Sequence, residues 1–220
     1  MLTIEYLSND VKALSLSNSI ADAKNLFQNL IFTHLPIVEE GVFYGLISES
    51  DLLGYDDNDK KLIKDIRYSL QTFFVTEETF WLDTLEIFSV NQANIIPVLN
   101  KKNNYIGYYE LTDILQFLSN TPFLQEMGNV LVVSKNKVNY SISEVAQIVE
   151  SNDAKLYGVF VSGYKNDHVI LTIKLYSDNV NDVIHTFRRY DYNIIIGVNQ
   201  DEYLNNLKNR SDYLQKYLNI

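Results

Sequence analysis

Two short runs hold the side chains best placed to do chemistry: "GLISESD", from Gly45 to Asp51, and "GYYELTD", from Gly107 to Asp113. Each ends in a carboxylate six residues after a glycine. The first carries hydroxyls at Ser48 and Ser50, whereas the second carries Glu110 and Thr112. Ser50/Asp51 and Thr112/Asp113 are favoured helix-cap pairs, so both aspartates admit a structural reading beside a ligand-binding one. General acid–base work by the two carboxylates would need a substrate pocket, on which the sequence is silent. The histidines His34, His168 and His185 lack metal-ligand spacing, and no P-loop, Gly-x-Gly-x-x-Gly or Gly-x-Ser-x-Gly run is present. The run Asp56, Asp57, Asn58, Asp59 lacks the later glycine and closing glutamate of a calcium loop and reads as a solvated connector. No catalytic constellation emerges, and the expectation is a protein without chemistry of its own.

The elements that would position those runs occur twice. Setting Pro36 against Pro97 aligns Asn18–Val38 with Thr79–Leu99 without a gap, and one inserted residue brings Gly45 onto Gly107 and Asp51 onto Asp113. Each copy reads as helix, strand, hairpin, strand, helix. Ile20, Ala23, Phe27, Leu30 and Ile31 share a helical face in the first copy; Trp81, Leu85 and Phe88 do so in the second. "LPIV" with "VFYGLIS" and "IIPVL" with "YIGYY" are the β-rich pairs, joined by the turns Glu39–Gly41 and Asn100–Asn104. The mid-strand glycines suit a bulge or a close approach by another backbone or a ligand.

"THLPIV…YGLISESDLL" and "ANIIPVL…IGYYELTDIL" resemble the two halves of a CBS-domain pair (a Bateman module), over residues 1–120 with repeats at about 1–60 and 61–120. The resemblance implies a pseudo-symmetric module with two clefts, non-catalytic and regulatory, that takes adenosine-containing ligands such as AMP, ADP, ATP or S-adenosylmethionine. It casts Asp51 and Asp113 as ribose acceptors and Ser48 as a phosphate-side hydroxyl. Thr33, His34 and Leu35 would flank one base site, and Asn94, Ile95 and Ile96 the other. Glu110 stands where Ser48 stands in the first copy and opposes phosphate. Ser50 and Thr112 occupy slots where many relatives place a cation.

A different unit comes next, with Pro122 and Gly128 marking a boundary. "NVLVVS" reads as a strand, and "SISEVAQIVESNDAK" as a helix capped by Ser141 or Ser143, with Ile142, Val145, Ala146 and Val149 inward. "LYGVFVSGY" and "HVILTIKLYS" form a hairpin, "NVNDVIHTFRRYD" a helix facing inward through Val180, Val183, Ile184 and Phe187, and "YNIIIGV" a last strand. The order β-α-β-β-α-β is the ferredoxin-like split unit. Behind a CBS pair it resembles an ACT-like domain over residues 128–199, and the fold class is α+β (α/β mixed), with this domain and a C-terminal helix filling 128–220. The loop Lys135–Ser141 has neither glycine nor proline, so dimerisation by sheet or helix pairing is expected there in place of amino-acid binding. Leu204, Leu207, Leu214 and Leu218 give the terminal helix an apolar stripe that its own domain or a second subunit would cover.

Composition bounds the rest. The chain has 220 residues, no cysteine and a formal charge of −10. Residues 1–120 carry 8 Lys+Arg against 17 Asp+Glu, and residues 121–220 carry 10 against 11. A field of that sign repels polyphosphate, so no nucleic-acid partner is expected. The first residues lack the regions of a signal peptide, no run is long enough for a membrane span, and the expected location is cytoplasmic. Two function classes compete: a sensor with an adenosine-type ligand and no required cofactor, or a homodimeric scaffold that has lost its ligand and works through a protein partner.

Overall fold

The computed structural model describes residues 3–56 and 59–197, and the chain divides between Ser119 and Asn120 into two compact units. The expected terminal helix, with Leu204, Leu207, Leu214 and Leu218, lies outside the described residues.

In unit 1 the repeat is a physical one. Helix α1 (Ile20–Asn29) opens on a capping box: the Asp22 backbone N–H donates to Ser19, and the Asp22 carboxylate accepts from the Ser19 N–H. It buries Ile20, Ala23 and Phe27. Leu30 is partly buried, but Ile31 is 86% exposed, against the expected face. The helix ends at Asn29 and Leu30 is already extended, so the 3.6-residue period no longer sets which way Ile31 points. Strands β1 (His34–Glu39) and β2 (Val42–Ser48) then pair antiparallel.

The second copy repeats this with a short β3 (Val75–Thr76), α2 (Trp81–Asn91), β4 (Ile95–Leu99), β5 (Tyr105–Glu110) and α3 (Leu111–Ser119). β3 runs parallel to β4, and a bridge from Leu14 to Ile37 does the same in the first copy. The copies differ after the second strand. Where a helix was expected after β2 there is only a 3-10 turn, Ser50–Leu52, while the second copy continues through α3. Gly54 lies two residues past that turn and an acidic run comes after it, whereas α3 contains no glycine or proline to stop it.

Gly45 and Gly107 serve both roles anticipated for them. The register slips between Ile37 and Val38 opposite Gly45, and between Val98 and Leu99 opposite Gly107. Their φ angles, 145° and 149°, favour glycine. A Cβ on Gly45 would sit 2.9 Å from the Gln71 carbonyl oxygen, and one on Gly107 would sit 2.5 Å from that of Ser8. The crossing is reciprocal: Gln71, leading into the second copy, bridges to Leu46, and Ser8, leading into the first, bridges to Tyr108. Each strand pair is therefore edged by the other copy's lead-in segment.

Unit 2 contains α4 (Pro122–Gln125), β6 (Asn129–Asn136), α5 (Ile142–Glu150), β7 (Lys155–Lys165), β8 (His168–Tyr176), α6 (Val180–Arg189) and β9 (Asn193–Ile196). Its sheet has the order β7-β8-β6-β9 with every neighbour antiparallel. Ser141 caps α5, which buries Val145, Ile148 and Val149. Ile142, expected inside, is exposed because the cap places it at the first helical position. α6 buries Val180, Val183, Ile184 and Phe187. With Leu131, Val133, Val169, Leu171, Ile173 and Leu175 these helices close one core.

Candidate functional site

Thr33 and Asn94 hold equivalent positions in the two copies, and they bind each other. The Thr33 N–H donates to Asn94 Oδ1 (2.8 Å), the Thr33 hydroxyl lies 3.0 Å from the same oxygen, and the Asn94 N–H donates back to Thr33 Oγ1 (3.1 Å). Asn94 Nδ2 also reaches the Ile31 carbonyl (2.6 Å). These residues, expected at two separate base sites, form one clasp that joins the copies. Leu35, Ile95 and Ile96 have their side chains fully in the cores, so only their backbones are available to a ligand.

The first copy carries the Asp51 centre. The Ser48 N–H donates to Asp51 Oδ2 (3.1 Å), as does the Ser48 hydroxyl (2.7 Å), and Ser48 Oγ accepts from the Asp51 N–H (3.2 Å). Ser50 Oγ lies 2.8 Å from Ser48 Oγ. The cap and the candidate acceptor are thus the same group: one carboxylate oxygen is spent on the turn, and Oδ1 has no protein partner among the described residues. His34 is buried, with Nδ1 2.8 Å from the Thr33 hydroxyl and its ring edge-on to Phe73 at 5.4 Å. Burial holds its pKa below the usual histidine value, against a hydrogen bond from Gln71 and the charge of Asp51. The imidazole is therefore neutral at pH 7.

In the second copy the Asp113 centre is built of acids. Glu110 lies where Ser48 lies, 3.4 Å from the Thr112 hydroxyl. Burial first, then Asp113 and then Asp10, raise its pKa, with the Thr112 hydrogen bond opposing. Asp10 accepts a hydrogen bond from the Tyr108 hydroxyl, which holds its own pKa low.

Asp10, Gln71 and Phe73 escape a reading of the sequence alone. They belong to the lead-in segments, outside the aligned runs, and no motif marks them. The signal available is spacing: Leu14 and Val75 precede their prolines by the same interval. A cavity of about 370 Å³ opens along the first lead-in, lined by Val11, Lys12, Leu14, Asn18, Asp22 and Asn25. A smaller one of about 150 Å³ touches Glu49 and Leu52 beside the Asp51 turn. Neither is lined by Asp51 or Asp113. Among the described residues no group of three or more His, Cys, Asp or Glu could hold a metal ion, and no helix is long and apolar enough to cross a membrane.

Comparison with known proteins places part of this geometry. Residues 4–58, which hold the first copy, match the family model of the CBS domain. An uncharacterised protein of Methanocaldococcus jannaschii is 24% identical over 151 residues, covering 67% of this chain and 55% of the relative. Inosine-5'-monophosphate dehydrogenase of the same organism is 26% identical over 113 residues, covering 51% of this chain and 22% of the enzyme. The matched region thus spans about half of the first relative and about a fifth of the second. Among solved structures, a CBS domain pair/ACT domain protein from Thermotoga maritima is 23% identical with a TM-score of 0.48, over 54% of this chain and 96% of that one.

Proposed function

We propose that the chain is a non-catalytic regulatory protein whose two copies form a CBS pair, and that the Asp51 centre takes the ribose of an adenosine-containing ligand. The observation that carries this reading is the Ser48–Ser50–Asp51 group. Its backbone and hydroxyl bonds fix the carboxylate before any ligand arrives and leave Oδ1 without a partner among the described residues. A preorganised carboxylate accepting ribose hydroxyls makes charge-assisted bonds at little ordering cost. The Asp113 centre, with Glu110 and Asp10 close by, repels phosphate and stays empty of nucleotide. Ligand at one centre shifts the copies only as far as it prefers one arrangement around the Thr33–Asn94 clasp.

Unit 2, with residues 128–220 as an ACT-like domain, serves in this reading as a dimerising partner of the CBS pair (residues 1–120), in a cytoplasmic homodimer. A second reading, a homodimeric scaffold without ligand, is favoured by the acids around Asp113. One panel separates the two. Thermal unfolding is followed with AMP, ADP, ATP, adenosine and S-adenosylmethionine, and mass by light scattering. A ligand at about 100 times its dissociation constant adds roughly 2.7 kcal/mol and raises the midpoint by a few degrees. A saturating rise with one compound supports the sensor; a dimer with no rise in any supports the scaffold.

A further inference from the structure

Helices α5 and α6 close one face of the unit 2 sheet through Val145, Ile148, Val149, Val183, Ile184 and Phe187. Strand alternation turns the remaining side chains to the opposite face. There the register sets Phe160, Thr172, Val132 and Ile196 side by side, one from each of β7, β8, β6 and β9. Three of the four are apolar. Val130, two residues before Val132, and Ile195, next to Ile196, extend the patch. Val130, Phe160, Ile195 and Ile196 are 45–56% exposed. An apolar band that crosses every strand of a sheet differs from singly scattered surface residues and marks a docking face.

The two ends of this row point to its occupant. At the β7 end the entering chain is already seated. Phe123 of α4 meets Phe160 edge-on at 6.1 Å, and its ring fills the space over Gly158, where a Cβ would lie 2.6 Å from it. At the other end the row finishes at Ile196, the last residue of β9, and residues 197–220 continue from that point. That stretch holds Leu204, Leu207, Leu214 and Leu218, which share a stripe at helical spacing, while Asp201, Lys208, Asp212 and Lys216 fall outside it. As a helix, residues 203–218 reach about 24 Å, and the outer two of four strands lie about 14 Å apart. The segment is therefore long enough to cross the row. Its short tether also gives it a higher local concentration than a separate molecule has.

We propose that residues 203–218 lie as a helix across the open face of the unit 2 sheet of their own chain, with the leucine stripe seated on Phe160, Val132 and Ile196. While seated, the segment closes this face to other proteins, so any pairing of two subunits uses another surface. The docking is independent of nucleotide binding at the Asp51 centre.

Because the chain has no cysteine, Lys208→Cys, outside the stripe, carries a nitroxide at one position of the full chain. Amide NMR before and after its reduction by ascorbate should show strong broadening at Val132, Phe160, Thr172 and Ile196, and clearly less on α5 and α6. Ile196→Asp, at an exposed position, should restore most of the lost intensity while leaving the shifts of β8 in place. Leu207→Asp should do the same from the other side of the contact. No broadening of the row, or equal broadening of both faces, would overturn the docking. Broadening that survives both aspartates would overturn the leucine stripe as its basis. Nitroxide-bearing chain mixed with isotope-labelled chain lacking the nitroxide identifies the occupant. Row broadening as strong there as within one chain would assign the face to a second copy and overturn the proposal.

Discussion

The two copies in unit 1 share a backbone and differ in what they do with it. Both bend a strand at glycine, both let the other copy's lead-in segment cross that glycine, and both end the strand near an aspartate. Then they part. Ser48 turns the first aspartate into a fixed, half-committed acceptor, whereas Glu110 surrounds the second with charge of its own sign. The lesson is that this duplicated framework keeps its crossing points more strictly than its site chemistry. A changed side chain at the crossing must move backbone, while one in the cleft alters only what the cleft prefers.

The largest effect expected is at the crossings. Gly107→Ala drives a Cβ into the Ser8 carbonyl at a φ unsuited to side chains, and should cost roughly 2–4 kcal/mol in urea unfolding. Gly45→Ala meets a looser contact and should cost less, roughly 1–3 kcal/mol. The reverse order would break the account of reciprocal crossing.

Next comes the clasp. Asn94→Ala leaves the Thr33 N–H and the Ile31 carbonyl without partners and should cost roughly 2–3 kcal/mol. Thr33→Val takes the acceptor away from the Asn94 N–H but keeps the Asn94 side-chain bonds to the Thr33 N–H and the Ile31 carbonyl, and should cost roughly 1–2 kcal/mol. If the double variant costs no less than the sum of the two, Thr33 and Asn94 are not coupled.

A smaller contrast lies in the two aspartates. Asp51→Ala removes the acceptor that closes the turn after β2 and should cost about 1 kcal/mol, with no comparable loss for Asp113→Ala. Equal losses would mean that the second copy is capped as the first is.

The smallest effect separates the copies by pH. Glu110 has a raised pKa, so the fold is unpenalised while that carboxyl is protonated and loses stability as pH rises through its folded value. Glu110→Gln should therefore stabilise slightly at pH 7 and change nothing at pH 4. A gain that is the same at both pH values would remove the acidic crowding from the explanation. His34 acts in the opposite direction: with its pKa held low, stability is lost as pH falls below the ordinary histidine value.

Much of this framework is legible in the sequence because it is written twice. The proline alignment locates both hairpins, and the paired glycines mark both crossings. The βαββαβ element order of unit 2 is equally visible, since β8 alternates strictly between core and surface. The hidden part depends on contacts distant in the chain. Nothing local to Thr33 or Asn94 says that each is the other's partner 61 residues away. Asp10 and Phe73 gain their places only once the lead-in segments cross. The missing helix after β2 is within reach of the sequence, because Gly54 and the acidic run are plain there; alignment with "TDILQFLS" suggests a helix that those residues stop.

Isothermal titration of the full chain with the compound that raises its melting point tests the central claim most directly. The account predicts one molecule per chain, binding abolished or weakened at least tenfold by Asp51→Asn and unchanged by Asp113→Asn. Two molecules per chain, or binding that survives Asp51→Asn and fails in Asp113→Asn, would contradict it.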